Sequence, residues 1–381
     1  MVSLRRAALV VAAVLALAAC SDKNLRKPAE LKDISNPAVQ PSKAWSTSAG
    51  DGSGGVYSGL RLDLQPDALF AADADGRVYA INPKNGDRIW RTKTKARVIS
   101  GPSVAGNAVY VGTLDAEVIA LSRADGKILW HAKLPSEVLA PPAGDGDTVV
   151  VRSVDGHIAG LSAATGETQW LVDRSVPNLT LRGLSAPVID GNRVFIGFDN
   201  GRIAALKTGD GQPVWEQVLS VPTGRTELDR LIDVDAGLLL VGGEIYAVSF
   251  GGDLACIDAD TGQILWRRSI KSYTGMTLAG DLVVVTDESG VIWALDSHTG
   301  AAAWKQDALL YRKLSPPAAF AGYVVVGDFE GYLHWLDPKD GRIVGRSRAG
   351  GDPIRSPMVA TDNLLYVLNE AGKITAVSAK R

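Results

Sequence analysis

Asp73-Ala74-Asp75-Gly76-Arg77-Val78-Tyr79-Ala80-Ile81 reads as a turn followed by an alternating strand, and it leads to Gly86 and Trp90. The same order of residues returns along the chain. Residues 115–121 lead to Gly126 and Trp130, 155–161 to Gly166 and Trp170, and 201–206 to Gly211 and Trp215. Residues 252–257 lead to Gly262 and Trp266, and 290–295 to Gly300 and Trp304. A seventh unit, 331–336, reaches Gly341, but Gly345 stands where the tryptophan is expected. An eighth, 372–377, is cut short by the chain end. From Trp90 to Trp304 the tryptophans are 40, 40, 45, 51 and 38 residues apart, a blade-sized repeat.

Each unit predicts four strands. The first often follows a proline, as at Pro102 and Pro187. The second is β-branched and aromatic, as in Ala108-Val109-Tyr110-Val111. The third alternates, and a turn with Asx or Thr before Gly leads to the tryptophan strand. Helical periodicity is absent beyond the amino terminus, which excludes a βα solenoid. Trp45 stands upstream with no third strand before it. The expectation is that residues 43–47 supply the missing outer strand of the last blade and so remove the open edge between the chain ends. The fold class is therefore all-β, an eight-bladed β-propeller over residues 41–381 closed by an N-terminal strand. The indoles are expected to fill the space between blades with each N–H on a backbone partner.

Of the 381 residues, 46% are hydrophobic and 22% charged, and the net charge is −2 with no basic block, so a nucleic-acid footprint is not expected. Two cysteines exclude a disulfide framework or multi-cysteine metal cluster, and four scattered histidines form no metal signature. Cys256, in an apolar strand pattern, is expected to be a small buried hydrophobe. His157 and His334 fall at repeat positions filled elsewhere by Arg, Lys or Ala and are expected on solvated strand.

The first residues are an address rather than fold. Arg5 and Arg6 precede thirteen apolar residues, Ala7 to Ala19, too few to span a bilayer about 30 Å thick as a helix. Leu17-Ala18-Ala19-Cys20 resembles the bacterial lipobox, in which the peptide is cut before a cysteine that is then lipidated. That resemblance implies a signal peptide over 1–19, lipidation of Cys20 and a mature net charge of −4. Ser21 after the cysteine, where aspartate would retain such proteins at the inner membrane, implies the outer membrane, facing the periplasm. Residues 20–40, polar and containing Pro28 and Pro37, are expected to form a flexible tether.

The tryptophan repeat resembles the PQQ-like propeller family, named for quinone-dependent alcohol dehydrogenases. Those enzymes hold quinone and calcium with a vicinal cysteine pair, a stacking tryptophan and carboxylate or amide ligands. No Cys-Cys dipeptide occurs here, and fold alone does not carry activity. Gly50-Asp-Gly52-Ser-Gly-Gly55 matches GxGxxG, but a β-rich segment follows where a dinucleotide site needs a helix, so a flexible loop is expected. Asp73-Ala-Asp75 and Asp258-Ala-Asp260 lack the remaining ligands of a calcium loop and read as turn residues. No catalytic residue, metal or cofactor is expected. A quinoprotein dehydrogenase or a ligand-binding PQQ-like domain is the alternative.

In a symmetric scaffold, function is sought where symmetry breaks, because binding residues sit on loops. The two longest intervals contain Val176-Pro-Asn-Leu179-Thr-Leu181-Arg182-Gly183 and Asp229-Arg230-Leu-Ile-Asp233-Val-Asp235. Both join a tryptophan strand to the next blade, so they are expected side by side on one face. With the lipobox and the N-terminal tryptophan strand, they resemble the propeller lipoproteins that act as scaffold in the outer-membrane β-barrel assembly machinery. The resemblance implies a non-enzymatic scaffold in which Leu179, Leu181, Arg182, Asp233 and Asp235 contact the periplasmic POTRA domains of BamA. Unfolded outer-membrane proteins are a further candidate partner. Two leucines and an arginine fork suit an interface, and paired aspartates can accept from a basic surface. Alternatively, Arg182 pairs with Asp233 or Asp235 across the adjacent loops.

Overall fold

Residues 26–55, 58–183, 185–223 and 225–380 are described by the computed structural model. The expected signal peptide, Cys20 and Ser21 lie outside the described residues. Eight antiparallel sheets follow one another along the chain. Blade one comprises Asp63–Leu64, Leu69–Ala72, Arg77–Ile81 and Arg88–Lys93. Blade seven comprises Ala318–Phe320, Tyr323–Gly327, Tyr332–Leu336 and Ile343–Arg348. Blade eight takes Val359–Ala360, Leu365–Leu368 and Lys373–Lys380 from the carboxyl end and Gln40–Ser48 from the amino end. Trp45 pairs with Ala376 across that closing seam, so the ring closes as expected. Leu69, Tyr79 and Ile81 of blade one pack with Tyr366, Leu368 and Ile374 of blade eight in one buried cluster.

Seven indoles among the described residues dock on the following blade. The Trp45 N–H donates to the Pro83 carbonyl at 3.1 Å, Trp90 to Arg123 at 3.0 Å and Trp170 to Thr208 at 2.7 Å. Trp130, Trp215, Trp266 and Trp304 repeat the contact. Each ring lies over the glycine of the turn between the third and fourth strands. A Cβ on Gly86 would stand 2.6 Å from the Trp45 ring, and one on Gly126 would stand 2.5 Å from Trp90. The missing eighth indole has a physical cause. Blade eight has no such turn, because its fourth strand comes from the other end of the chain. Gly345 instead leaves room for Val39, whose methyl lies 2.5 Å from where a Cβ would sit.

Antiparallel pairing sorts the connections onto two faces. Turns between second and third strands, and links from each fourth strand to the next first strand, share one face, called upper here. Turns between third and fourth strands share the lower face. The link from blade eight to blade one passes over the axis on the upper side, where Gly59–Leu60 pairs parallel to the first strand of blade two, Val98–Ala105.

Three expectations need correction. The Gly50–Gly55 stretch is not a free loop. Ser53 N–H donates to the Glu370 carbonyl, and the Gly52 carbonyl accepts from Ala74, so it is a turn wedged between blades eight and one. His334 is not solvated but fully buried in blade seven. Its Nε2 lies 3.0 Å from Asp328 and its Nδ1 accepts from Arg346 at 3.3 Å; burial lowers its pKa, outweighing the Asp328 carboxylate, which raises it. Residues 29–39 of the expected tether lie against blade seven, where Val39 is part of the core. Cys256 is buried as expected, and burial pushes its thiol up to about 12, which keeps it a neutral thiol.

Candidate functional site

The two long connections leave blades three and four. Blade three contains Thr148–Arg152, Ile158–Ser162 and Thr168–Val172; blade four contains Val188–Asp190, Arg193–Gly197, Arg202–Lys207 and Pro213–Val218. Residues 173–187 link them, and residues 219–238 link blade four to blade five. Both links lie on the upper face, and they touch: Leu181 N–H donates to Asp233 Oδ1 at 2.8 Å. A second tie joins Ser185 Oγ to the Ala236 carbonyl at 3.2 Å. The expected juxtaposition of the two loops is therefore present.

The side chains divide differently from the expectation. Leu179 is 41% exposed, and the Arg182 side chain is 56% exposed. Leu181 is half-buried. Asp233 and Asp235 are buried, so neither carboxylate faces outward as an acceptor for a basic surface. The reason lies in the chain that follows. Val234 N–H is committed to the Phe198 carbonyl, and Phe250 N–H to the Asp233 carbonyl, which draws residues 233–235 beneath the loops. Arg182 pairs with neither aspartate. Its NH2 group lies 3.2 Å from Glu137 on the link between blades two and three. Arg182 adopts φ +64°, with its N–H on Thr180 Oγ1 at 3.0 Å.

Beneath the loops sits a charge cluster that the sequence reading missed. Arg152 and Asp199 form a buried ion pair, and the carboxylates of Asp199, Asp233 and Asp235 lie within 4.8 Å of one another. Desolvation, with the Asp199 charge as a lesser cause, pushes Asp233 up to about 6, against the Leu181 N–H and Arg152, which hold it down. Gly183 packs directly on the ion pair, because a Cβ there would stand 2.6 Å from the Arg152 guanidinium and 2.7 Å from Asp199. One signal was available in the sequence. Arg152 stands four residues before the turn glycine, where other blades carry Ala72, Gly197 and Gly327.

Val221, 64% exposed, and Leu228, 70% exposed, were also missed. Both lie on the second loop, and Leu228 opens the single 3-10 turn among the described residues, Leu228–Arg230. Exposed leucines on an irregular loop leave no periodic trace. On these two mutually fastened loops the upper face presents the apolar Leu179, Val221 and Leu228 together with the exposed Arg182, Arg225 and Arg230.

The axis holds a cavity of about 170 Å³ lined by Leu60, Arg61, Asp235, Lys313 and Asn369 among others. That is below the roughly 300–1,000 Å³ of ordinary ligand pockets.

A family profile described as "Outer membrane protein assembly factor BamB" matches residues 74–306. The BamB of Pseudomonas aeruginosa is 44% identical over the whole of both chains, and that of Escherichia coli K12 is 34% identical over 94% of each. The crystal structure of BamB from Moraxella catarrhalis superposes with a TM-score of 0.81 at 29% identity, covering 89% of this chain and all of that one. The quinohemoprotein alcohol dehydrogenase of Comamonas testosteroni shares the fold alone, with a TM-score of 0.70 at 14% identity over 92% of this chain and 78% of that one. The eight-bladed ring, its tryptophan docking and full-length similarity at these identities agree, and the chain belongs to the outer membrane protein assembly factor BamB family.

Proposed function

We propose that the protein is a non-enzymatic scaffold of the outer-membrane β-barrel assembly machinery, held at the periplasmic face of the outer membrane by a lipid on Cys20. Leu179, Leu181 and Arg182 dock on the POTRA domains of BamA. The observation that carries this reading is the pairing of exposed side chains with a rigid base. Leu179 and the Arg182 guanidinium stand in solvent, while Leu181 N–H is pinned to buried Asp233. Apolar anchors beside an arginine on pre-ordered loops lose little entropy on binding. Asp233 and Asp235 act in this reading as positioning residues, shaping the loop rather than touching the partner. The exposed Val221 and Leu228 extend the apolar part of the surface.

The test is the affinity for purified BamA POTRA fragments, with circular dichroism melts as a fold control. Arg182→Glu is expected to cost on the order of 2 kcal/mol, about thirtyfold in affinity, without unfolding the ring. Leu179→Ala with Leu181→Ala is expected to weaken binding with less salt dependence, since an apolar contact is not screened. Lys207→Glu, at the lower end of a third strand, is the neutral control. Parent-like binding by Arg182→Glu, or a loss that only tracks thermal stability, overturns the docking face.

A further inference from the structure

The segment between the expected lipid site and the first propeller strand is fastened along blade seven. Arg26 lies over the Tyr311 ring at 5.8 Å. Ala29 N–H donates to the Leu310 carbonyl at 2.9 Å, and the Arg312 guanidinium donates back to the Ala29 carbonyl at 3.0 Å. Leu31 packs on the cluster containing Trp304, Leu309 and Leu314. Arg346 donates to the Lys32 carbonyl at 3.0 Å, and Ala38 N–H to the Val344 carbonyl at 2.9 Å. Val39 then fills the space that Gly345 leaves open.

The direction of this path matters. Tyr311 and Leu310 belong to the link from blade six to blade seven, which lies on the upper face with the Leu179–Arg182 loop. Val344 is the second residue of the fourth strand of blade seven, near its lower end. The segment therefore runs from the upper face down the wall of blade seven, and Gln40–Ser48 climbs back up in blade eight. Gln40 itself begins at the lower face. A chain leaving directly from Gln40 would put the anchor below the ring, on the side away from the loops.

We propose that residues 26–39 are an orienting strap, which returns the lipid-bearing end of the chain to the upper face and turns that face, at its blade-six and blade-seven rim, toward the membrane. The inference rests on the reading of Cys20 as lipid-bearing. The reach is short. Six residue steps separate Cys20 from Arg26, which at about 3.5 Å per step bounds the anchor to roughly 20 Å from the Arg26 backbone. The twenty steps from Cys20 to Gln40, unstrapped, would allow about 70 Å, enough to present either face. The partner of this rim is a lipid surface, and the strap decides that the docking loops and the membrane share one side of the ring.

The experiment uses the lipidated full-length mature protein in vesicles carrying a headgroup-linked quencher. A dye is placed on Asp307→Cys, at the upper end of blade six, or on Lys339→Cys, in the lower turn of blade seven. Cys256 is buried and does not compete for the dye. Quenching at position 307 is expected to exceed that at 339 at least threefold. Leu31→Asp with Ala38→Pro, which removes the packing and the Val344 hydrogen bond, is expected to abolish the difference while the melting curve keeps its single transition. Equal quenching in the parent, or an unchanged difference in the strap variant, overturns the proposal. A second arm needs no lipid. Trypsin cleavage after Lys32 in the unacylated chain is expected to be at least tenfold slower in the parent than in the variant. Equal rates mean that the strap is not held, and the inference falls with the anchor intact. A mature chain whose mass carries no acyl groups instead sinks the anchor reading, and the membrane orientation with it.

Discussion

Leu181 and Asp233 stand 52 residues apart in the chain, yet the backbone N–H of the first donates to the buried carboxylate of the second at 2.8 Å. This bond spans the two longest departures from the repeat and makes one surface of them. It also gives the buried aspartate a purpose other than contact with a partner. A carboxylate accepts a backbone N–H strongly, and a buried acceptor left without its donor is costly. The loop and its base therefore hold or loosen together.

The first prediction concerns the charge on Asp233. Its pKa rises on folding from an ordinary carboxylate value near 3.8 to about 6, chiefly through desolvation. A raised folded pKa means that the native state binds the extra proton, so its stabilisation is complete below about pH 4 and lost as pH climbs through about 6. Asp233→Asn keeps an oxygen for Leu181 without the charge. It should melt at or above the parent at pH 7.5, with the parent-minus-variant difference flattening below pH 4.5. Asp233→Ala should loosen the loop at every pH. Melting curves from pH 4 to 8 check this; an Asn variant that loses more stability at pH 7.5 than at pH 4.5 contradicts it.

The second prediction concerns Gly183. Its hydrogen faces the Arg152–Asp199 pair with no room for a methyl group. Gly183→Ala should force the buried pair apart or lift the loop, at a cost of about 1–3 kcal/mol. Urea unfolding measures it. POTRA affinity should fall further than Gly327→Ala makes it fall at comparable stability loss, because position 327 crowds Ile354, between blades seven and eight, and not the ion pair or its loops. Equal losses would place the Gly183 effect in the fold alone.

A third prediction tests the seam. Trp45→Ala empties the space over Gly86 and removes one of two donors to the Pro83 carbonyl, leaving the Tyr366 hydroxyl, and should cost on the order of 3 kcal/mol. Deleting residues 41–48 should unfold the whole ring, since blade eight would lose its outer strand. Gly345→Trp, which restores the repeat in sequence, should destabilise rather than help, because Val39 occupies the site. Thermal melts that leave Gly345→Trp at or above the parent would refute this account of the missing indole.

The fourth prediction is the anchor. Cys20→Ala should yield a chain without acyl mass that no longer fractionates with outer membranes at high salt in cells lacking its binding partner. A mutant that still pellets there disproves the lipid assignment.

The ring was legible because it is a periodic solution. Each turn glycine and each tryptophan is demanded by local backbone geometry and by one neighbouring blade, so the requirement recurs at blade spacing and can be read from residues 73–90 outward. Trp45 was readable for the same reason, as a repeat element displaced to the other end of the chain. The two loops were legible only as departures in length. Which of their side chains face solvent was decided by contacts between blades. Asp233 is buried because Val234 and Phe250 bind the backbone around it, and Arg182 faces Glu137 on a third connection. Gly345 and residues 26–39 make the same point. A missing tryptophan read as a gap in the pattern is a seat for Val39, and a polar, proline-containing stretch read as a tether is fastened to blade seven. Their partners lie some 300 residues away, and the contacts run largely through backbone carbonyls that any side chain could present. Local composition carries no trace of such bonds, so only the closed ring could decide them.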